Sequence, residues 1–299
     1  MGQGPSRQGV HPALLTMSTR PRIGITLGDP AGIGPEVVAK ALRSGRLDRR
    51  FDYEIIGNPR TKRRADAADW VAEGAKRCLD GDLAALVTAP ITKELLHRAG
   101  YPFVGQTEFL AHLSGTKRFA MMLAGGPLRV ALVTTHAPLR EVAKLITGRK
   151  IVEVVELSDQ ICRRFGIRHP RIAVAGLNPH AGEGGLLGDE ERRVIAPAVR
   201  RAARHGIAVS GPHSADTLFY RAAHGQFDAV VAMYHDQGLA PLKLIAFDTG
   251  VNLTLGLPFV RTSPDHGTAP DIAGKGIARP EGMIAAINMA AQLARGSSR

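Results

Sequence analysis

The fold of this chain is indicated most clearly by residues 227–243, FDAVVAMYHDQGLAPLK. The short apolar run near the start of this stretch contains β-branched residues, which is typical of a buried parallel strand. The strand is predicted to end before His235 and Asp236, and Gly238 and Pro241 then indicate a loop. A titratable pair at a strand end is either a surface feature or part of a site, and one occurrence does not decide which.

The same order of strand, loop and helix recurs along the chain. Further strand-like runs lie at residues 21–27, 83–87, 128–133 and 171–177. Short apolar strands that alternate with helical segments predict an α/β protein with parallel strands. In such sheets ligands collect beyond the carboxyl ends of the strands, so the loops there are the first place to look for a site.

Length and composition are those of a globular protein. The 299 residues allow a sizeable core, and 44% are apolar while 22% are charged. No apolar run is long enough for a transmembrane helix. Residues 1–20 lack a secretory signal and are predicted to be a disordered tail, in which Met17 is an alternative start to Met1. Cys78 and Cys162 lack metal-binding spacing, which predicts a reduced cytoplasmic protein without disulfides.

The chain is basic, with a formal net charge of +12. Its basic residues are scattered or lie on predicted helices, and aromatic residues make up only 5% of the sequence. Nucleic acid and membrane surfaces are therefore not expected partners, because neither a basic patch with interleaved aromatics nor a membrane segment is present in the sequence. Attraction of a small anionic substrate explains the charge equally well.

Three histidines follow predicted strands at equivalent points. His136, His180 and His235 each stand one to four residues beyond a strand end. Neutral imidazole binds zinc and other divalent metals, and three such ligands leave a position open for a substrate oxygen. Asp236 and Asp216 are nearby acids that would orient or join them. The alternative is that each histidine is an ordinary loop residue that hydrogen-bonds to backbone.

Two glycine-rich loops are also candidates for ligand binding. GDPAGIGPE, residues 28–36, lies between a strand and a helix, where backbone amides and the helix dipole can face an anion. Its spacing is not GxGxxG, so a simple tight turn is an equal alternative. HGTAPDIAGKG, residues 266–276, contains Asp271, an acid of the kind that hydrogen-bonds ribose hydroxyls and rejects a 2′-phosphate.

An ordered set of motifs runs from about Arg22 to the C-terminus: GDPAGIGPEVV, VTTHAPLREVA, LNPHAGEGG, ADTLF, AMYHDQGLAPLK and GVNLTLGLPFVRTSPDHGTA. This set resembles the 4-hydroxythreonine-4-phosphate dehydrogenases of the PdxA family. The loops at 28–36 and 266–276 are also similar to those of isocitrate and isopropylmalate dehydrogenases, with which that family shares its fold. In those enzymes the second loop holds the adenosine end of the cofactor.

The resemblance implies a definite architecture. Two α/β/α domains with mostly parallel sheets, as in isopropylmalate dehydrogenase, would enclose a cleft. The first, cofactor-side domain would comprise residues 21–107 plus 246–299, and the second, metal and dimerisation domain residues 108–245. The active site would lie at the interface of a homodimer, with metal ligands from both subunits.

The resemblance also implies residue roles, position by position. The metal ligands would be His136, His180 and His235. The substrate contacts would be Gln106, Thr107, Lys243, Asn252 and Arg261. The cofactor contacts would be His266, Gly267, Ala269 and Asp271. The catalytic groups would be Lys243, Asp236 and Asp216, and the sequence does not choose among them for proton transfer.

The implied reaction is an NAD- and divalent-metal-dependent oxidation of 4-phosphooxy-L-threonine, as in pyridoxal phosphate biosynthesis. The resulting 3-oxo acid would lose CO₂ to give 3-amino-2-oxopropyl phosphate. Zinc is the preferred metal, with cobalt, manganese and magnesium as alternatives, since three histidines suit several divalent ions.

Three departures from the family pattern keep other readings open. Gln106 stands where the family usually has histidine, the segment 58–66 is shorter than usual, and Arg279 replaces an asparagine near the cofactor in the isopropylmalate enzymes. One alternative is the same chemistry on D-threonate or D-erythronate 4-phosphate, or on a cyclic diol carboxylate. A second alternative is a non-catalytic binding protein on the same fold.

Overall fold

The computed structural model describes residues 20–61, 63–103 and 105–296. The predicted tail therefore lies outside the described residues, apart from Arg20. Within them, each strand-like run of the sequence forms a strand, and most of the strands lead through a loop into a helix. The predicted α/β class is confirmed.

The strands in the described part of the chain form one ten-stranded sheet in the order β2-β1-β3-β10-β9-β4-β5-β8-β6-β7. Their bounds are β1 Arg22–Thr26, β2 Asp52–Ile56, β3 Ala85–Thr88, β4 Ala120–Gly125, β5 Leu128–Leu132, β6 Ile172–Ala175, β7 Val209–His213, β8 Ala229–Ala232, β9 Val251–Leu255 and β10 Val260–Pro264.

The sheet is mostly parallel but reverses direction at its centre. The pairings β10–β9, β9–β4 and β4–β5 are antiparallel, and the remaining pairings are parallel. Three reversals mean that the parallel group β2-β1-β3-β10 and the parallel group β5-β8-β6-β7 run in opposite directions. Strands β4 and β9 belong to different predicted domains, and their pairing joins the two domains in one continuous sheet. The boundaries of the two domains stay a prediction.

The helices have the following bounds: α1 Gly34–Arg43, α2 Asp66–Leu79, α3 Lys93–Arg98, α4 Gln106–Leu113, α5 Leu139–Leu145, α6 Gly148–Arg164, α7 Ala196–Arg204, α8 Ala215–Ala223, α9 His235–Ala246 and α10 Glu281–Arg295. A tightly turned segment, Pro179–Gly185, whose central residues have positive φ angles, and a π-helical segment, Glu191–Ile195, precede α7.

Burial explains why the sequences of the central strands are continuous apolar runs. Every residue of β3 and β8 is buried, as expected for parallel strands covered by helices on both faces. Among the helices, α10 buries nine of its fifteen residues and packs against β10 and β3. Two separate clusters of buried side chains cover the sheet, so the core is distributed along its length.

The sequence prediction of a loop after β8 was wrong. Residues 235–246 form helix α9, with Pro241 inside it. Leu239 and Leu242 are buried, and Gly238 lies so close to β5 that a Cβ there would come within 2.6 Å of a Val130 methyl carbon. Packing against the sheet therefore outweighs the local preference of glycine and proline to end a helix.

Two smaller predictions concern cysteines and membranes. Cys78 and Cys162 are both free and buried, in line with the prediction that they form no disulfide. No helix in residues 20–61, 63–103 or 105–296 is long and apolar enough to cross a membrane.

Candidate active site

A cavity of about 390 Å³ lies where the antiparallel centre of the sheet meets α4 and the loops after β3, β5 and β10. This volume is typical of pockets that bind small molecules. Four of the predicted substrate residues line it: Gln106, Thr107, Asn252 and Arg261. The first two are adjacent in sequence and lie far along the chain from the last two, which stand on the antiparallel pair β9 and β10.

Arg261 is the most unusual charge in the cavity wall. It projects from β10, is only 4% exposed, and donates hydrogen bonds to the hydroxyls of Thr88 (2.6 Å) and Thr254 (3.1 Å). No carboxylate lies within ion-pair distance of it in the described ranges. Burial lowers its pKa to about 10. A buried cation without an acidic partner is costly, and an anionic ligand would compensate it.

Unpaired polar atoms surround the same cavity. Gln106 Oε1, Asn252 Oδ1 and His266 Nε2 are buried without a hydrogen-bond partner, and all three residues line the cavity. The Gln106 amide is anchored by a hydrogen bond from Nε2 to the Ala89 carbonyl oxygen, at 3.2 Å. Buried polar groups are normally paired, so this cluster indicates a place that a ligand fills.

Two of the three predicted metal ligands lie together. The rings of His136 and His235 are 5.6 Å apart, and Asp236 Oδ1 lies 2.7 Å from Nδ1 of His235. Burial, with lesser contributions from Lys93 and His235, lowers the pKa of His136 and favours the neutral imidazole that binds metals. An acid on Nδ1 of His235 leaves Nε2 free for a metal, so these two residues fit a metal site.

His180 does not join this pair within one chain. The described residues contain no group of three or more His, Cys, Asp or Glu side chains placed to hold a metal ion. The side chain of His180 is 61% exposed, and its Nδ1 lies 2.6 Å from Glu183 Oε1, which raises the pKa of His180. The expectation that three histidines converge is therefore met, inside a single chain, by only two.

The loop that carries His180 is strained and braced. The backbone φ angles of His180, Ala181 and Glu183 are positive, at 51°, 53° and 42°. Residues other than glycine rarely adopt this conformation. The buried carboxylate of Glu191, in the π-helical segment, accepts hydrogen bonds from the backbone of Leu177 at 2.7 Å and from Asn178. Strain held in place by surrounding contacts is typical of functional loops.

The two predicted catalytic aspartates lie on the histidine side of the site and outside the cavity wall. Asp236 is exposed beside His235. Asp216 lies in the first turn of α8 and accepts a hydrogen bond from Ser214 at 2.6 Å, and the charge of His180 acts on it. The Ser214 hydroxyl holds the pKa of Asp216 below its ordinary value. Both aspartates are therefore placed to influence histidines rather than a molecule in the cavity.

Lys243 reaches the cavity indirectly. Its ammonium lies on α9 and pairs with Asp265, with Nζ 2.9 Å from Oδ2. Asp265 follows β10 and lines the cavity, whereas Lys243 does not. Asp265 is thus the link between this lysine and the cavity.

The predicted cofactor loop borders the cavity and rests on the first glycine loop. His266 and Gly267 line the cavity, while Asp271 is exposed further along. The Ile33 amide donates to the Thr268 carbonyl oxygen at 2.9 Å, so the two glycine loops are in contact. Ala269 has a φ of 40°, which holds the turn in a shape unusual for alanine.

Helix α1 fixes the far end of the same loop. Lys40 donates to the carbonyl oxygens of Gly276 and Ala278, at 2.8 and 2.7 Å, and to Glu36. Glu36 also accepts a hydrogen bond from the Ala278 amide. The loop is therefore held at both ends by hydrogen bonds to its main chain, which makes its surface preorganised.

The shortened segment 58–66 has a role in holding the first glycine loop. Arg64 forms a two-pronged ion pair with Asp29, which is only 1% exposed. Asp29 also accepts a hydrogen bond from the Ala31 amide at 2.9 Å. The short connection therefore still anchors the loop beside α1.

Sequence reasoning missed four charged residues of the cavity wall: Lys93, Glu108, Lys150 and Asp265. Lys93 forms no ion pair in the described part of the chain and supplies a second cation apart from Arg261. Lys93 and Asp265 follow β3 and β10 closely in sequence, so the rule that ligands lie beyond strand ends could have identified both. Glu108 stands directly after the predicted Gln106-Thr107 pair.

Comparison with known proteins gives a consistent result. A family model described as "Pyridoxal phosphate biosynthetic protein PdxA" matches residues 35–290. A 4-hydroxythreonine-4-phosphate dehydrogenase from Geobacter metallireducens is 44% identical, over 93% of this chain and 97% of that protein. A protein from Bradyrhizobium diazoefficiens, provisionally assigned as a D-threonate 4-phosphate dehydrogenase, is 42% identical over 94% of this chain and 99% of its own.

Solved structures agree with the fold. The crystal structure of a 4-hydroxythreonine-4-phosphate dehydrogenase from Klebsiella pneumoniae superposes with a TM-score of 0.81 and 40% identity, covering 92% of this chain and 99% of that one. An isocitrate dehydrogenase from Methylococcus capsulatus superposes with a TM-score of 0.53 at 15% identity over 93% of this chain and 86% of its own, which shows the shared fold alone.

The alignment with the Geobacter protein also bears on chain length. It spans 328 positions, more than the 299 residues present here, so that relative holds residues without a counterpart in this chain.

Proposed function

Because the chain belongs to the PdxA family of pyridoxal phosphate biosynthetic proteins, we propose that it is an NAD-dependent dehydrogenase acting on 4-phosphooxy-L-threonine. The proposed product is a 3-oxo acid that loses CO₂ to give 3-amino-2-oxopropyl phosphate. We place this activity in a cytoplasmic homodimer. The observation that carries the proposal is the buried Arg261, which has no carboxylate within ion-pair distance among the described residues, in a cavity lined by His136 and by the start of the predicted cofactor loop.

Substrate binding is assigned to the charges and unpaired atoms of the cavity. Arg261 would hold one anionic group of the substrate, since a guanidinium binds phosphate or carboxylate through two parallel hydrogen bonds. Lys93, on the wall but separate from Arg261, would attract the other anionic group. Thr107 and Asn252 would complete the contacts, and Gln106 Oε1 is free to accept a hydrogen bond from the substrate's amino group.

The metal site is assigned to His136 and His235 of one subunit and His180 of the other. A divalent metal, when bound, supplies a Lewis acid that polarises the substrate hydroxyl. Asp236 fixes the His235 ring through Nδ1, Glu183 has the same relation to Nδ1 of His180, and Asp216 acts on His180 by its charge alone. Zinc is the preferred metal on ligand type, with cobalt, manganese and magnesium as alternatives.

The nucleotide is assigned to the loop that begins at His266 and Gly267. NAD, when bound there, supplies the hydride acceptor. Asp271 would accept hydrogen bonds from ribose hydroxyls and disfavour a 2′-phosphate, which selects NAD over NADP. Ala269 shapes the turn between these contacts. Because His266 and Gly267 also line the substrate cavity, the nucleotide site and the substrate site would adjoin.

Proton transfer from the substrate hydroxyl is assigned to Lys243. It is bonded to Asp265, a carboxylate of the cavity wall, whereas Asp236 and Asp216 contact the histidine side. Lysine accepts a proton only as the neutral amine, so the ammonium that pairs with Asp265 would be the form that follows this step.

Dimerisation follows from the isolation of His180. Large apolar side chains are exposed on the segments that carry His180 and Lys243: Leu186 at 84%, Leu244 at 88% and Phe247 at 76%. Exposed apolar side chains favour association, and a two-fold axis would bring each His180 towards its partner's cavity.

The first alternative, D-threonate or D-erythronate 4-phosphate, keeps every residue role and changes one substituent. The similarity to the Bradyrhizobium protein favours it, while the free acceptor on Gln106 suits an amino group, which offers more donors than a hydroxyl.

The test is NADH formation by purified, metal-loaded protein. 4-Phosphooxy-L-threonine and D-threonate 4-phosphate are offered in parallel at equal concentrations. Higher kcat/KM for the amino acid is expected. A higher kcat/KM for D-threonate 4-phosphate would identify that compound as the substrate instead. Inactivity with both compounds, together with failure to bind NAD, would indicate a non-catalytic binding protein.

A further inference from the structure

Asp265 is placed to fix the position of the Lys243 side chain. Its side chain is 16% exposed, lines the cavity, and lies 2.9 Å from the Lys243 ammonium. It is set at the end of β10, four residues after Arg261, and its amide donates to the Gly250 carbonyl oxygen at 3.3 Å. The carboxylate is therefore held by a rigid part of the sheet.

Lys243 has no comparable support of its own. It lies on α9, its side chain is 39% exposed, and Asp265 is the one acid within ion-pair distance of it among the described residues. A lysine side chain has four rotatable bonds, and its ammonium is strongly hydrated, so an unpaired one would turn into solvent. The neighbouring Leu244 and Ile245 are largely exposed and leave space for that movement.

We propose that Asp265 is a positioning residue that holds the Lys243 ammonium at the edge of the substrate cavity. This rests on the role of Lys243 in the function proposed above. The carboxylate forms an ion pair with Nζ and so fixes the distance between Lys243 and a substrate bound by Arg261, which lies on the strand that leads to Asp265. Since α9 and β10 come from opposite halves of the sheet, the pair also sets the spacing between them at the cavity.

The first test is a double-mutant cycle in the NADH assay. Asp265→Asn is expected to lower kcat about 10- to 100-fold, the range for losing a hydrogen bond to a charged group, with a smaller change in KM. In a Lys243→Met background the same change should have almost no further effect, because Asp265 acts through the lysine. Asp265→Glu should recover part of kcat, and Asp80→Asn, in an exposed pair away from the cavity, should leave it unchanged.

A second readout does not depend on activity. Labelling by an amine-directed acylating reagent, quantified at Lys243 by peptide mass spectrometry, should be several-fold faster in Asp265→Asn, with Lys144 as an internal reference. The ion pair with Asp265 shields the Lys243 ammonium from the reagent. Loss of the ion pair exposes the ammonium.

Independent effects of the two substitutions on kcat, or unchanged labelling of Lys243, would overturn the proposal. If the wild-type protein turns over neither substrate, the proposed function fails, while the labelling result still decides whether Asp265 holds Lys243.

Discussion

At the scale of single residues, the site is recognisable by what its atoms lack. Arg261 is a buried cation that contacts threonine hydroxyls and has no acid within ion-pair distance in the described ranges, and Gln106 and Asn252 each bury an oxygen without a donor. Such groups cost stability, and proteins retain them where a ligand makes up the difference. Asp265 is also understood from its contact, since its carboxylate holds the Lys243 ammonium beside the cavity.

Arg261→Met is expected to separate function from stability. The substrate's KM should rise by about 100-fold or more, because a charge-assisted pair of hydrogen bonds is lost. The free energy of unfolding should rise by about 1 kcal/mol, because an uncompensated buried charge is removed. Steady-state kinetics and urea unfolding measure the two quantities, with Arg295→Met, at an exposed position, as the control. A clear loss of stability would instead assign Arg261 a structural role.

At the scale of elements, two contacts between segments distant in sequence position the site. Helix α1 holds the end of the cofactor loop through Lys40 and Glu36. On the other half of the sheet, Arg171 before β6 donates three hydrogen bonds to Asp228 before β8, from its backbone amide and its guanidinium. We expect the contact of α1 with the loop to affect ligand affinity. The contact between Arg171 and Asp228 is expected to stabilise the strands that lead to His180 and His235.

Lys40→Met is expected to weaken NAD binding by roughly tenfold, the equivalent of one charged hydrogen bond, because the loop loses its anchors at two carbonyl oxygens. Titration calorimetry with NAD gives the affinity directly. Lys76→Met, which removes an exposed i,i+4 pair with Asp80, should leave it unchanged. If both variants bind NAD like wild type, the loop is not the nucleotide site.

Asp228→Asn is expected to lower the free energy of unfolding by about 1–3 kcal/mol at pH 7. The hydrogen bond from Arg171 holds the pKa of Asp228 below its ordinary value of 3.8. A lowered pKa in the folded state contributes stability that is present above pH 3.8 and is lost as the pH falls through the lowered value. Denaturant unfolding over a pH series should therefore show wild type and variant converging below that point. A gap that stays constant would contradict the ionic origin.

At the scale of the whole molecule, the sequence predicted what is local and periodic. The alternation of strands with helices and the placing of His136, His180 and His235 beyond strand ends were readable, because both depend on short patterns. Helix α9 was not, since its stability comes from packing against β5 rather than from its own glycine and proline. The reversal of the sheet, the burial of Arg261 and the pairing of Asp265 with Lys243 depend on contacts between distant segments, which a single sequence does not encode visibly.

Subunit mixing tests the proposed shared site most directly. His136→Ala and His180→Ala are each expected to be inactive alone. A heterodimer of the two, isolated by different affinity tags, should regain about half of wild-type NADH formation, because one of its two sites has all three histidines. The control heterodimer of His136→Ala with His235→Ala should stay inactive, since each of its sites lacks one histidine of the same chain. Recovery in the first pair alone is the predicted result, and an inactive His136→Ala/His180→Ala heterodimer would contradict a site built from two chains.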